Sequence, residues 1–108
     1  MRIKSMEYIE EHFYKEDKRV RKIALHYGFN HQAIKTIEEL AELQQALSKT
    51  VLEKNKVKIL PNLKEEIVDI LLMIEQLKVL LNLKDEELEK LREFKINRQL
   101  LRMKTENA

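Results

Sequence analysis

The chain contains no cysteine, which excludes disulfides, thiolate metal sites and cysteine nucleophiles. It has a single glycine, Gly28, and a single proline, Pro61. With so few residues that break a backbone, and with Leu, Glu, Lys and Ile abundant, the composition points to a mainly helical protein. No apolar run is long enough to span a bilayer, and the N-terminus lacks a long apolar leader. A soluble, cytoplasmic protein is the expectation. The formal net charge of +2 is too small to imply a nucleic-acid partner by itself. A length of 108 residues suits one domain over 1–108.

Hydrophobic spacing divides this length into helices. Ile3, Met6, Ile9 and Phe13 predict a short helix within 1–14, followed by a charged connection at 15–18. A second short helix is expected over 19–27, with Val20, Ile23, Ala24 and Tyr27 as its stripe. Gly28 stands where a helix ends in the left-handed conformation. Asn30 then reads as the next N-cap, with Phe29 and Ile34 at the spacing of a hydrophobic staple.

The third helix is expected over about 31–54. Ile34, Ile37, Leu40, Ala41, Leu43, Leu47 and Val51 fall on one broad side, and Lys35, Glu38, Glu39 and Glu42 on the other. The basic stretch at 54–58 lacks periodicity and reads as a loop that Pro61 closes. The fourth helix, 62–81, is apolar nearly all round: Ile67, Ile70, Ile74 and Leu77 on one stripe, Val68, Leu72 and Val79 on another, Met73 and Leu80 on a third. Such a helix is a buried one, and a chain this short can hardly enclose it alone. The expected architecture is therefore an all-α helical bundle whose four-helix core is completed by homodimerisation, with a homotetramer as a doubled form. Asn82 can end the fourth helix. A last one begins near Asp85, with Asp85, Glu86 and Glu87 at its positive end and Lys95, Arg98 and Arg102 on a basic side, fraying from Thr105.

Two acidic phrases stand out, Glu38-Glu39-x-x-Glu42 and Glu66-x-x-Asp69. Acids three residues apart project from one face of a helix. Taken alone, the first phrase passes as a solvated face, and Glu65, three residues after Asn62, suits a capping role. Asp69 resists that reading. It lies past the first turn, forms helices poorly, and heads with Glu66 into the apolar line of Met73 and Leu80. Like charges about 5 Å apart repel by roughly 3 kcal/mol at an effective dielectric near 20. A hard divalent cation turns that repulsion into binding.

The two phrases, with 23 residues between them and Glu-Glu-Ile-Val-Asp-Ile-Leu-Leu opening the second helix, resemble the signature of the all-α nucleoside triphosphate pyrophosphohydrolases, the superfamily of MazG-like proteins. The likeness runs from about Gln32 to about Arg98. It implies that Glu39, Glu42, Glu66 and Asp69 hold Mg²⁺, or Mn²⁺ in its place, with Glu38 in or next to that group and all five acids in the catalytic set. It implies cleavage of a nucleoside triphosphate between its α- and β-phosphates, giving the monophosphate and pyrophosphate. Lys35, one turn before Glu39, is a candidate for a substrate phosphate. Lys95 and Arg98, in Phe94-Lys95-Ile96-Asn97-Arg98, resemble a basic segment that follows the second motif in MazG-like proteins. With no tryptophan in the chain, Phe29, Tyr14 and Tyr27 are the aromatic candidates for stacking a base. His12, His26 and His31 share no helical spacing with the acids on this reading and are taken as surface or half-buried residues.

Two readings compete. Residues 20–37 fit a helix-turn-helix pattern, with Ala24, Gly28, Ile34 and Ile37 at its structural positions and His31, Gln32, Lys35 and Thr36 facing a major groove. The acids of the same helix would repel phosphates. The other rival is a helical interaction protein without chemistry.

Overall fold

The computed structural model describes residues 16–106. Within them the chain forms four helices and no strand: α1 Lys18–Tyr27, α2 Phe29–Leu52, α3 Lys56–Leu80 and α4 Asp85–Glu106. The all-α expectation is met. The helix expected in 1–14 lies outside the described residues. No helix among the described residues is long and apolar enough to cross a membrane. The chain divides into two compact units: Glu16–Asn82, which holds α1 to α3, and a second whose described part is residues 83–106, with α4.

α1 starts on Asp17, whose carboxylate accepts from the Arg19 backbone N–H at 2.9 Å and from the Arg19 guanidinium at 2.8 Å. Those hydrogen bonds, the side-chain one foremost, pull the Asp17 pKa down to about 2. Val20 and Ala24 are buried, as their stripe predicts, while Ile23 and Tyr27 of that stripe are exposed. α1 ends at Gly28, whose φ of +82° and ψ of 171° suit only glycine. The Gly28 N–H donates to the Ala24 carbonyl at 2.9 Å, and the Gly28 carbonyl accepts from the Gln32 N–H at 3.1 Å. One residue thus ends α1 and opens α2. Asn30, expected as the cap, lies inside the first turn of α2, and Phe29 and Ile34 are both exposed. A single positive-φ residue redirects the chain, so no longer linker is needed.

The connection from α2 to α3 is also shorter than the sequence predicts. Only residues 53–55 leave the helical state; α3 begins at Lys56 and carries Pro61 within it. In the second turn a proline forgoes one hydrogen bond, that to the Val57 carbonyl, and its fixed φ is helical. The connection is closed locally: Glu53 Oε1 accepts from the Asn55 N–H at 3.0 Å, and the Lys56 ammonium donates to the Thr50 carbonyl. α3 ends as expected near Asn82, which takes a positive φ of 53°, a conformation asparagine tolerates.

α2 and α3 form an antiparallel pair that is the main contact of this unit, with α1 packed chiefly on α3. The seam runs through Gln32, Thr36, Glu39 and Ala46 of α2, all buried, with Leu43 half-buried between them and Thr50 half-buried one turn beyond. Facing it are Ile70, Met73 and Gln76 of α3, buried, with Leu63, Glu66, Leu77 and Leu80 half-buried. Alternating steps of three and four residues are the spacing of a helix–helix seam.

This seam corrects the expected orientation of α2. Ile34, Ile37, Leu40, Leu47 and Val51 are exposed in the chain, and Glu39, placed by hydropathy on the wet side, is 7% exposed. Small and polar side chains such as Ala46 and Thr36 line the contact with α3, and the apolar side is left on the flank. The apolar character expected all round α3 has the same outcome, for Ile67, Val68, Leu71, Leu72 and Ile74 are exposed too.

One polar pair crosses the seam. Gln32 Nε2 donates to Gln76 Oε1 at 2.6 Å, in a buried setting. Truncating one partner strands the other's amide. Gln76→Ala should therefore lower unfolding free energy by about 1–3 kcal/mol, and a Gln32→Leu/Gln76→Leu double variant should recover most of that loss. Urea-unfolding midpoints of the three proteins check this.

α4 has no buried residue. Asp85, Glu86 and Glu87 occupy its first turn, where they complement the helix dipole. The helix continues through Glu106, past the point at which fraying was expected, with the Thr105 hydroxyl donating to the Arg102 carbonyl at 2.8 Å.

Candidate metal centre

The α2–α3 pairing brings Glu39 and Glu42, one turn apart on α2, against Glu66 of α3. One carboxylate oxygen from each lies within 4.8 Å of the others. Glu39 is buried, Glu66 half-buried and Glu42 exposed, so the group opens to solvent on one side.

The charges are only partly compensated. Lys35 Nζ stands 3.2 Å from Glu39 Oε1 and 3.8 Å from Glu38 Oε2. The hydrogen bond to Glu39, followed by that carboxylate's charge, raises the Lys35 pKa and keeps it an ammonium. Glu39 Oε2 and Glu66 Oε2 are both buried without a hydrogen-bond partner. A buried polar atom left unpaired is costly, and a buried carboxylate oxygen more so. The donors of this group are oxygens only, aimed at one another. That set matches the preference of a hard divalent cation such as Mg²⁺, and a cation there would satisfy the orphaned oxygens.

Burial raises the Glu66 pKa above the ordinary glutamate value of 4.5, helped by the charges of Glu42, Asp69 and Glu39. The folded protein therefore holds this proton more tightly than the unfolded chain does. Without divalent metal, stability should fall as pH rises from about the ordinary value through the raised one. Glu66→Gln should flatten that part of the profile, as thermal midpoints measured in chelator across the acid range would record.

The remaining predicted residues are placed as follows. Asp69 is exposed and lies outside the group of three, although its charge still acts on Glu66. The second phrase thus does not enter the interior as a pair: Glu66 turns into the seam, and Asp69, three residues on, points past it. Glu38 is exposed and held near Lys35. Lys95 and Arg98 are on α4, in the other unit, where the Arg98 guanidinium sits 5.7 Å from the Phe94 ring centroid. Tyr14 and His12 lie outside the described residues.

His26 and His31 are exposed, as expected, but the spacing of His31 needs a correction. His31, Lys35 and Glu39 follow one another at four-residue steps along α2, so His31 does share a helical row with the acids. Its ring stacks on Tyr27, with centroids 4.8 Å apart and planes 18° apart, and His26 meets Tyr27 edge-on at 4.7 Å. The i, i+4 spacing was visible in the sequence. The Tyr27–His31 contact was not, because it spans the break at Gly28.

No protein-family model matches this chain, and neither the curated proteins nor the solved structures include a significant match to it.

Proposed function

We propose that this protein is a Mg²⁺-dependent nucleoside triphosphate pyrophosphohydrolase, cleaving the α–β phosphate bond to release a nucleoside monophosphate and pyrophosphate. The observation that carries the reading is the meeting of Glu39, Glu42 and Glu66 from two helices, with buried, unpartnered oxygens on Glu39 and Glu66. The likeness of Glu38-Glu39-x-x-Glu42 and Glu66-x-x-Asp69 to the MazG-like signature supports it.

Glu39, Glu42 and Glu66 would hold the cation, with Asp69 outside the group and acting on it through its charge. Bound there, it would neutralise phosphate charge and lower the pKa of a water. The chain's own groups supply the rest. The buried Glu39 keeps one oxygen on Lys35 and leaves the other without a hydrogen-bond partner. Lys35, a charged and half-exposed ammonium beside the acids, would meet a substrate phosphate. A glutamate oxygen not engaged by the cation accepts the proton as water attacks.

The exposed apolar flanks of α2 and α3 favour a second copy of the chain as their cover, completing a four-helix core. The helix-turn-helix alternative loses support. Its proposed reading residues Gln32 and Thr36 are buried in the seam, and the break between α1 and α2 is a single glycine rather than a three- or four-residue turn.

The test is pyrophosphate release, with Mg²⁺ or Mn²⁺, from a panel of ribo-, deoxy- and modified nucleoside triphosphates that includes phosphoribosyl-ATP. Release from at least one member is expected. No release from any of them would sink the proposal.

A further inference from the structure

No residue of α4 is buried, yet part of its apolar content is ordered along the helix. Turning each residue by 100° puts Glu87, Leu91, Phe94, Arg98, Leu101 and Thr105 within about 80° of one another. They follow at alternating steps of four and three residues, the spacing of a helix–helix seam. Leu91, Phe94 and Leu101 are 55% to 64% exposed. The Arg98 guanidinium sits 5.7 Å from the Phe94 ring centroid, so it lies along this row and not off to its side.

The row is symmetric about residue 96. Laid against a second copy running the other way, Leu91 meets Leu101, Phe94 meets Arg98 and Glu87 meets Thr105, and each pair occurs twice. Residue i meeting j while j meets i is the property of a two-fold interface. A phenyl ring opposite a guanidinium is a favourable contact. The charges select the same direction. Residues 85–93 hold five acidic and two basic side chains, and residues 94–106 hold four basic and one acidic. An antiparallel pair lays the acidic half of each helix on the basic half of the other. A parallel pair sets like halves together and Arg98 on Arg98, which repel.

We infer that this face of α4 is a self-association surface, which takes α4 of a second copy in antiparallel register with Leu91 opposite Leu101. The contact is separate from the apolar flanks of α2 and α3, and it does not depend on the metal or nucleotide reading. Its orientation is set by charge and by Arg98, and its adhesion by the leucines and Phe94.

The test is disulfide trapping, for which a chain without native cysteine has no background. The full chain is prepared as Leu91→Cys, as Leu101→Cys and as the double variant, and each is incubated at micromolar concentration with oxidised and reduced glutathione. On one helix the two positions are about 15 Å apart, beyond the reach of a disulfide, so any bridge in the double variant joins two copies. The double variant, and an equimolar mixture of the two single variants, should run mostly as covalent dimers on non-reducing electrophoresis. Each single variant alone should stay mostly uncrosslinked. Adding Arg98→Glu to the double variant should slow crosslinking about tenfold or more. Single variants that crosslink as readily as the double, or a rate indifferent to Arg98→Glu, would overturn the antiparallel pairing. No crosslink in any sample, the result expected if the row is covered within its own chain, would overturn the contact altogether. Sedimentation velocity of the wild type then separates the two interfaces: a dimer leaves the α2–α3 interface standing, and a monomer removes it as well. Leu91, Arg98 and Leu101 are exposed, so the variants should fold, and their circular dichroism melts verify it.

Discussion

Glu39→Gln should lower kcat/KM for nucleoside triphosphates at least about a hundredfold, equivalent to about 2.7 kcal/mol of transition-state stabilisation. The substitution is nearly isosteric, so the seam between Thr36 and Leu43 keeps its packing. What changes is charge. Glu39 is the most buried of the three clustered acids, it is the partner of Lys35, and its second oxygen has no donor of its own. An amide there offers a weaker oxygen and introduces N–H donors that point at Glu42 and Glu66. Metal affinity should fall with activity, and with it the metal's effect on stability. In wild type, Mg²⁺ at 100 times its dissociation constant should add about 2.7 kcal/mol to unfolding free energy. In Glu39→Gln that increment should shrink or vanish. Glu66→Gln should behave alike, whereas Glu65→Gln, one residue away and exposed, should leave rate and metal affinity near wild type. A Glu39→Gln protein that still bound Mn²⁺ and hydrolysed its substrate at the wild-type rate would remove the cluster from the mechanism.

Ile37→Glu should dissociate the proposed homodimer. Ile37 is 66% exposed in the single chain and lies on the apolar flank of α2 with Ile34 and Val51, which are 60% and 79% exposed. α3 adds Ile67, Val68 and Leu71, from 42% to 54% exposed. Soluble monomers rarely leave that much aliphatic side chain open to water. Burial of each such residue contributes roughly 1.5–3 kcal/mol, and a glutamate in its place would have to be desolvated unpaired. A hot-spot loss of about 2 kcal/mol or more corresponds to at least a thirtyfold weaker self-association. Sedimentation velocity should show wild type as a dimer or tetramer at micromolar concentration and Ile37→Glu shifted toward monomer. Lys49→Glu should not shift, since it changes charge on an exposed residue on the side of α2 that carries Glu38 and Glu42. A wild-type protein monomeric at high concentration would rule out the second copy as the cover for this surface.

The legible parts of the fold are those governed by local rules. α1 runs Lys18–Tyr27 against an expected 19–27, and α4 starts at Asp85 as its acidic first turn predicts. Gly28 and Asn82 mark helix ends, because backbone conformations with positive φ favour those residue types. The errors fall where local rules compete. Asn30 is a good cap that Gly28 pre-empted. Residues 54–58 look like a loop because they are basic and aperiodic, yet a run of lysines is as well solvated on a helix as off one. Pro61 reads as a terminator, but near a helix start it forfeits little.

The site divides the same way. The paired acids, Lys35 and their shared helix were plain in the sequence, as was the i, i+4 relation of His31 to Lys35. What was not plain was depth. Hydropathy placed Glu39 on the wet side of α2 and Asp69 on an inward path, and the structure buries the first and exposes the second.

Alone, the sequence determined that the chain is helical, where most of its helices begin and end, and which residues share a face, because periodicity and capping are properties of neighbours along the chain. Only the tertiary structure decided which face of α2 meets α3, that Glu39 and Glu66 are carried into that seam while Asp69 is not, and that Tyr27 stacks on His31 across Gly28. Those outcomes depend on how closely two helices can approach. Thr36 and Ala46 permit that approach, and the bulkier isoleucines of the apolar flank are left outside it.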